Sequence, residues 1–356
     1  MIGIIKEASQ RVAITPSVCD KISKQLGVPI WIESGAGESA NFNDATYEGL
    51  AEVKSRDFIL QNAEIIITVD PLSKEEMMKI GRDCILVSMF EPYNNPSIVE
   101  DIKSSNCRAF SLDMIPRSTL AQAVDVLSSM ASLSGYQAVL TAAQMHTRCM
   151  PMMTTAAGTV RPASALIIGA GVAGLQAIAT AKRIGCKVSA FDVRSSSKEE
   201  VQSLGAKFVE VEGAADDKGA GGYAVQQSED FLKRQKEEIH NYAQKSDIII
   251  TTAQLRGKKA PILIEDRTIA AMQPGSVIID LAESTGGNTS YTKKGTTVTD
   301  NGIIIVGESN LADRIAQHSS ELLASNYFNF IKLFIKDKAV NLDFTNPILD
   351  SSFITK

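Results

Sequence analysis

Three glycines at fixed spacing constrain this chain of 356 residues more than any other feature. The run Gly169-Ala-Gly171-Val-Ala-Gly174 follows the apolar stretch Ala165–Ile168, opens a helical segment, and precedes a second apolar stretch, Val188–Asp192, which ends in a carboxylate. Asp192 lies 18 residues after Gly174, close to the roughly 20 expected of a dinucleotide-binding strand–helix–strand unit. In such a unit the first glycine permits a tight turn, the second lets the backbone approach a pyrophosphate, and the third lets helix and strand pack closely. The helix start then offers unpaired N–H groups and the positive end of its dipole to the phosphates. A Gly-rich turn with a purely structural role is the alternative. Asp192 can accept hydrogen bonds from an adenosine ribose and would repel a 2′-phosphate, which favours NAD over NADP. Arg194, two residues on, could hold a phosphate, so NADP stays open; its plainer reading is a solvated charge at a helix start. The same stretch, Ala163–Ala181, is long and apolar enough to pass a crude membrane-span filter of roughly 18 residues. Its glycines would break such a span into strand, turn and helix.

The length predicts two domains. Aromatic residues are only 6% while Ala, Ile, Val and Gly carry the apolar content, a balance suited to parallel sheets covered by helices. Short apolar runs at Ile2–Ile5, Pro29–Glu33, Ala63–Val69, Cys84–Met89 and Arg108–Leu112 read as strands of βα units. From Ala165 the expected strands are Ala165–Ile168, Val188–Asp192, Lys207–Val211, Asp247–Thr251, Ser276–Asp280 and Ile303–Val306, enough for a complete doubly wound sheet. Between the two sets lies one long helical stretch, about Thr119–Arg148, where the domain crossover is placed. The expected fold is α/β, two Rossmann-like doubly wound parallel-sheet domains separated by a cleft. The first is residues 1–125 with 310–356, and the second, nucleotide-binding domain is residues 126–309. After about Ile335 the chain reads as polar and irregular.

A net charge of −5 with no basic run gives a nucleic-acid surface no electrostatic footing. The five cysteines are scattered with no CxxC pair, and the three histidines lie far apart, so neither disulfides nor a metal site is expected. No signal-peptide pattern opens the chain. The loop Glu212–Tyr223 contains four glycines; it reads as a mobile flap that could close over the cofactor, with Gly222 and Tyr223 as contacts, or equally as a plain surface loop.

Whole stretches carry a resemblance: RVAITP at Arg11–Pro16, PRSTLAQAVDVLSS at Pro116–Ser129, PMMTTAAGTV at Pro151–Val160, GVAGLQAIATAKR at Gly171–Arg183, DVRSSSKEEVQSLG at Asp192–Gly205, AGGYA at Ala220–Ala224 and PGSVIIDLA at Pro274–Ala282. On these the chain resembles the NAD(H)-binding alpha-1 subunits (domain I) of proton-translocating NAD(P) transhydrogenases and, more distantly, alanine dehydrogenases. The resemblance implies direct hydride transfer from NADH to NADP+ held on a separate domain III, coupled to proton movement through a membrane domain II. It also implies a homodimer, with Met150, Met152 and Met153 near its interface unless they are adaptable core packing. The implied location is peripheral, on the cytoplasmic side of the inner membrane, or the matrix side in a eukaryote. Arg117, Gln122 and Asp125 are the implied nicotinamide-side residues, with Ser128 nearby: Arg117 for the pyrophosphate or amide side, Gln122 to bridge to the partner domain, and Asp125 for the carboxamide. Without the resemblance they read as an ordinary helix N-terminus. Val172, Asp192, Val193, Arg194, Gly222, Gln235 and Gln254 fall on further implied NAD contacts. Relatives usually carry Leu where Gln254 stands, so a contact there is expected through the backbone alone.

Alanine dehydrogenases share Arg11, an arginine suited to a substrate carboxylate, but their reaction also uses a lysine, a histidine and an aspartate. An ungapped reading puts Val69, Glu91 and Ser284 at those positions, which supply neither the amine nor the imidazole that amino-acid oxidation needs. Arg11 then reads as structural. Hydride transfer between two nicotinamides needs close approach and exclusion of water rather than a general acid or base. A silent NAD-binding sensor is the remaining reading.

Overall fold

The computed structural model describes residues 1–105, 107–211, 213, 228–254 and 257–355. The chain divides into two compact units, Met1–Met130 with Ala312–Lys356, and Ala131–Leu311. The second unit is therefore an insertion in the first, entered within the helix Val126–Met145.

The first unit is built on a six-stranded parallel sheet of β1 (Ile2–Ile4), β2 (Ile30–Glu33), β3 (Glu52–Lys54), β4 (Ile65–Ile67), β5 (Ile85–Ser88) and β6 (Arg108–Ser111), in the order β3-β2-β1-β4-β5-β6. The central strands read as unbroken Ile, Leu and Val because helices cover both faces; Ile65–Ile67 and Ile85–Val87 are buried throughout. Gly3 in β1 leaves room for the helix Arg56–Asn62, since a Cβ there would lie 2.4 Å from Ile59. The sequence does not announce β3, and its position explains why: it is an edge strand, largely exposed, with one neighbour and no second apolar face to satisfy. The C-terminal residues are less irregular than their composition suggests. Phe330, Phe334 and Phe353 surround Phe110 of β6 with ring centroids 5.2–5.9 Å apart, and Ile354 donates its N–H to the Ala109 carbonyl at 3.0 Å, covering the outer edge of β6.

The second unit opens with an exposed hairpin, β7 (Met153–Thr155) and β8 (Gly158–Val160). A seven-stranded sheet follows: β9 (Ser164–Ile168), β10 (Lys187–Phe191), β11 (Lys207–Phe208), β12 (Ile248–Thr251), β13 (Val277–Asp280), β14 (Gly295–Val298) and β15 (Ile304–Gly307), ordered β11-β10-β9-β12-β13-β15-β14. Six of the strands run parallel and β14 adds antiparallel to β15. That seventh strand escapes a search for apolar runs because Gly295-Thr-Thr-Val is an exposed edge. The strand order reverses between β9 and β12, so the carboxyl ends of these two strands open the crevice where a doubly wound sheet binds its ligand.

The expected helix Thr119–Arg148 is two elements. Thr119–Val124 is 3₁₀, Asp125 leaves helical geometry at φ −77°, ψ 85°, and the α-helix proper is Val126–Met145. No helix among the described residues is long and apolar enough to cross a membrane; the apolar stretch Ala163–Ala181 is strand β9, the glycine turn and the start of the helix Val172–Arg183.

Candidate dinucleotide site

The three glycines occupy three different environments at the carboxyl end of β9. Gly169 has φ +99°, and a Cβ on it would lie 2.3 Å from the Thr252 hydroxyl, so both its conformation and its surroundings demand glycine. Gly174 sits in the first turn of the helix Val172–Arg183 against the Gly169 carbonyl, which a Cβ would approach to 1.8 Å. Gly171 differs: its backbone is extended, and a Cβ would meet nothing within 4 Å. The middle glycine therefore serves no packing need of the protein itself and leaves its backbone open to a bound group. The helix it starts carries no side-chain cap, so the N–H groups of its first turn, beginning at Val172, remain available to an anion.

Asp192 stands one residue beyond β10, its side chain 7% exposed. Its Oδ2 accepts the Ala170 N–H at 2.6 Å, which ties it to the glycine turn, and its Oδ1 accepts the Arg194 N–H at 2.8 Å. The Arg194 guanidinium grips the same carboxylate through Nε at 2.9 Å and Nη2 at 2.9 Å. Arg194 is thus a paired charge rather than a solvated one, and a ribose hydroxyl reaching Asp192 has to share with it or displace it. Val193 packs against the apolar cluster containing Phe191 and Ile249. Gln235, on the helix Glu229–Ala243, is only 3% exposed, and its Oε1 has no hydrogen-bond partner among the described residues. A buried amide oxygen left unmatched is costly, and a ligand donor would relieve it. Gln254, just past β12, is not limited to its backbone: its Nε2 donates to the Leu281 carbonyl at 2.7 Å. Gly222 and Tyr223 lie outside the described residues, as does the loop Glu212–Tyr223 apart from Gly213. Thr252 carries no signal in the sequence; its hydroxyl donates to the Ile168 carbonyl at 3.3 Å and forms the floor under Gly169.

In the first unit, Arg117 and Gln122 are exposed on the segment leading to the helix Val126–Met145, while Asp125 is drawn in. Asp125 accepts the Ser128 N–H at 2.9 Å and the Ser128 hydroxyl at 2.6 Å, the geometry of a helix N-cap. Asp125 and Ser128 are therefore brought together, and Gln122 sits one 3₁₀ turn before them. This segment is held from behind, because Asn326 and Asn329 both donate to the Ala123 carbonyl, at 2.9 and 3.2 Å.

Arg11 is buried, with its guanidinium Nε 2.6 Å from Asp313 and Nη2 3.3 Å from Asp70. Two internal carboxylates thus occupy the arginine. Glu7 nearby accepts the N–H groups of Val69 and Asp70 at 2.8 and 3.1 Å; burial pushes its carboxyl up to about 8 against those bonds, and the Asp70 charge adds to the rise. Of the cysteines, Cys19, Cys84, Cys107 and Cys186 are buried, and burial pushes the Cys19 thiol up to about 12, which makes it inert. Among the described residues no group of three or more His, Cys, Asp or Glu is placed to hold a metal.

The residues of each unit match a described family domain: 3–134 match "Alanine dehydrogenase/PNT, N-terminal domain" and 138–356 match "Alanine dehydrogenase/PNT, C-terminal domain". The chain is 40% identical over 352 residues to an NAD(P) transhydrogenase subunit alpha chain of Rickettsia prowazekii, covering 97% of this chain and 91% of that protein. It is similar to a crystal structure of transhydrogenase from Sinorhizobium meliloti, with a TM-score of 0.90 and 37% identity over 99% of this chain and 97% of that one. An L-alanine dehydrogenase structure shares the fold at a TM-score of 0.76 and 21% identity, covering 93% of this chain and 88% of that one.

Proposed function

This chain belongs to the alanine dehydrogenase/PNT family, on its NAD(P) transhydrogenase subunit alpha branch, and on that premise we propose that it is the NAD(H)-binding component of a proton-translocating transhydrogenase. The observation that carries the binding half of this reading is the division of labour among Gly169, Gly171 and Gly174, in which the outer two are required by the fold and the middle one is required only by a ligand. When bound, NADH supplies a hydride, transferred directly to NADP+ on a separate domain III.

The chain's own residues bind and orient. The N–H groups at the start of the helix Val172–Arg183 face the pyrophosphate, Asp192 takes the adenosine ribose with Arg194 beside it, and Gln235 offers its orphaned amide oxygen. Arg117, Gln122 and Asp125 are the nicotinamide-side residues that the family likeness suggests, Gln122 bridging to the partner domain. Leu120, 80% exposed beside Gln122, supports a surface made to be covered by another protein. No proton acceptor is required of this chain, because a hydride passing between two nicotinamides leaves no proton to place. The working assembly is a homodimer associated with a membrane domain II and an NADP(H)-binding domain III, peripheral on the cytoplasmic side of the inner membrane.

Arg11 weighs against the alanine dehydrogenase alternative, since an arginine already between Asp70 and Asp313 has no free face for a substrate carboxylate. The deciding experiment is reconstitution. The isolated chain should show negligible turnover, and adding a domain III protein should start hydride transfer from NADH to NADP+ or an analogue. Alanine-dependent release of ammonia by the chain alone would sink the proposal. Gln122→Asn should slow transfer at least about tenfold, roughly 1.4 kcal/mol of barrier, with little change in NADH affinity.

A further inference from the structure

Beyond Thr251 the chain leaves β12 through Thr252, Ala253 and Gln254, at the crevice where the order of the second sheet reverses. Neither helix nor strand holds these three residues. Both backbone groups of Ala253 are instead bound by one side chain: its N–H donates to Asn288 Oδ1 at 3.2 Å, and its carbonyl accepts from Asn288 Nδ2 at 2.9 Å. The same Nδ2 also donates to the Pro261 carbonyl at 2.9 Å. Asn288 has no exposed surface. Its own N–H donates to the buried Asp280 at the end of β13, at 2.6 Å, and its carbonyl accepts the N–H groups of Leu263 and Ile264 at 2.9 and 3.1 Å. The turn that brings it there is made by Gly286 and Gly287, both at positive φ, +104° and +78°.

A fully satisfied buried amide with rigid anchors acts as a template, and the segment it binds takes its conformation from it. That conformation decides where Gln254 points. Because Gln254 Nε2 lies on the Leu281 carbonyl, its Oε1 must face the other way, as an acceptor. The half of the sheet that carries Asp192 takes the adenosine, so the half made by β12, β13 and β15 takes the nicotinamide.

We propose that Asn288 is a positioning residue for the nicotinamide half of the dinucleotide site: by fixing Ala253 it aims the Gln254 carboxamide oxygen at that half, as an acceptor for an amide N–H of the ligand. This assignment rests on the dinucleotide reading above. The test measures NADH and AMP affinities of the full chain, by fluorescence titration and calorimetry, for the wild type, Asn288→Asp and Gln254→Leu. Asn288→Asp keeps the shape and removes both amide donors; NADH should bind about tenfold more weakly, while AMP, which uses only the Asp192 half, changes by less than about twofold. Gln254→Leu, at an exposed position, should keep the wild-type melting temperature and weaken NADH about threefold, again sparing AMP; it carries the test alone if Asn288→Asp does not fold. Equal weakening of NADH and AMP by Asn288→Asp, or unchanged NADH binding in Gln254→Leu, overturns the assignment. A wild-type chain that binds neither nucleotide overturns the dinucleotide reading, and this assignment with it.

Discussion

A single Cβ separates the roles of the three glycines, and substitution shows it. Gly174→Ala drives a methyl into the Gly169 carbonyl, so the helix Val172–Arg183 has to lift off β9; a loss of several kcal/mol, on the order of an overpacked core, should appear as a large fall in melting temperature. Gly171→Ala meets open space in an extended backbone. It should leave the melting temperature within about a degree or two and weaken NADH about tenfold, read by fluorescence titration. Equal behaviour of the two variants would remove the ligand argument. Asp192→Asn loosens the grip on Arg194 and removes the charge that opposes a 2′-phosphate, so the ratio of NADH to NADPH affinity should fall by about tenfold or more. The glycines and Asp192 were legible in the sequence because their spacing records local backbone geometry. The pairing of Arg194 with Asp192, the orphaned oxygen of Gln235 and the Gln254 contact with Leu281 were not, since each depends on how the side chains settle in the finished fold.

At the scale of the element, the break at Asp125 teaches most. An apolar pattern running from Thr119 to Arg148 reads as one helix, yet Asp125 turns its carboxylate onto Ser128 and starts the helix afresh. A cap competes locally with helix continuation, and its victory here is helped by Asn326 and Asn329 gripping the Ala123 carbonyl from a distant stretch of the chain. Asp125→Ala should cost about 1 kcal/mol of stability in urea unfolding, the usual worth of a cap. Asp125→Asn retains the cap and removes the charge, so it should unfold like the wild type. If NADH binding falls in both variants, the carboxylate serves the ligand as well as the helix; if it falls in neither, Asp125 is a cap only. The strands missed from the sequence, β3 and β14, are both exposed edges, where one-sided pairing leaves no apolar run to find.

Across the whole molecule, two carboxyls give the stability a pH dependence of known sign. Glu7 is pushed up to about 8, chiefly by burial, so the folded chain holds a proton that the unfolded chain releases from its ordinary range near 4.5. Its contribution is complete below that range and is lost as pH rises toward about 8. For Asp247, burial alone would raise the carboxyl, but Ser164 and Arg161 overcome it and hold the group below its ordinary value; this contribution is present above about 3.8 and is lost as pH falls through the lowered value. The melting temperature should therefore peak in mildly acidic solution and decline toward pH 8, and Glu7→Gln should flatten that decline. A melting temperature independent of pH between about 5 and 8 would contradict the placement of Glu7. What the amino-acid sequence determined by itself was the α/β class, most of the strands and the glycine turn, because these follow from local spacing and from the apolar period of buried strands. Only the tertiary structure decided that the C-terminal aromatics close over Phe110, that Arg11 is spent on Asp70 and Asp313, and that Asn288 moulds the chain beyond β12. Those are pairings between residues far apart in the chain, and no local pattern records which buried donor will find which acceptor.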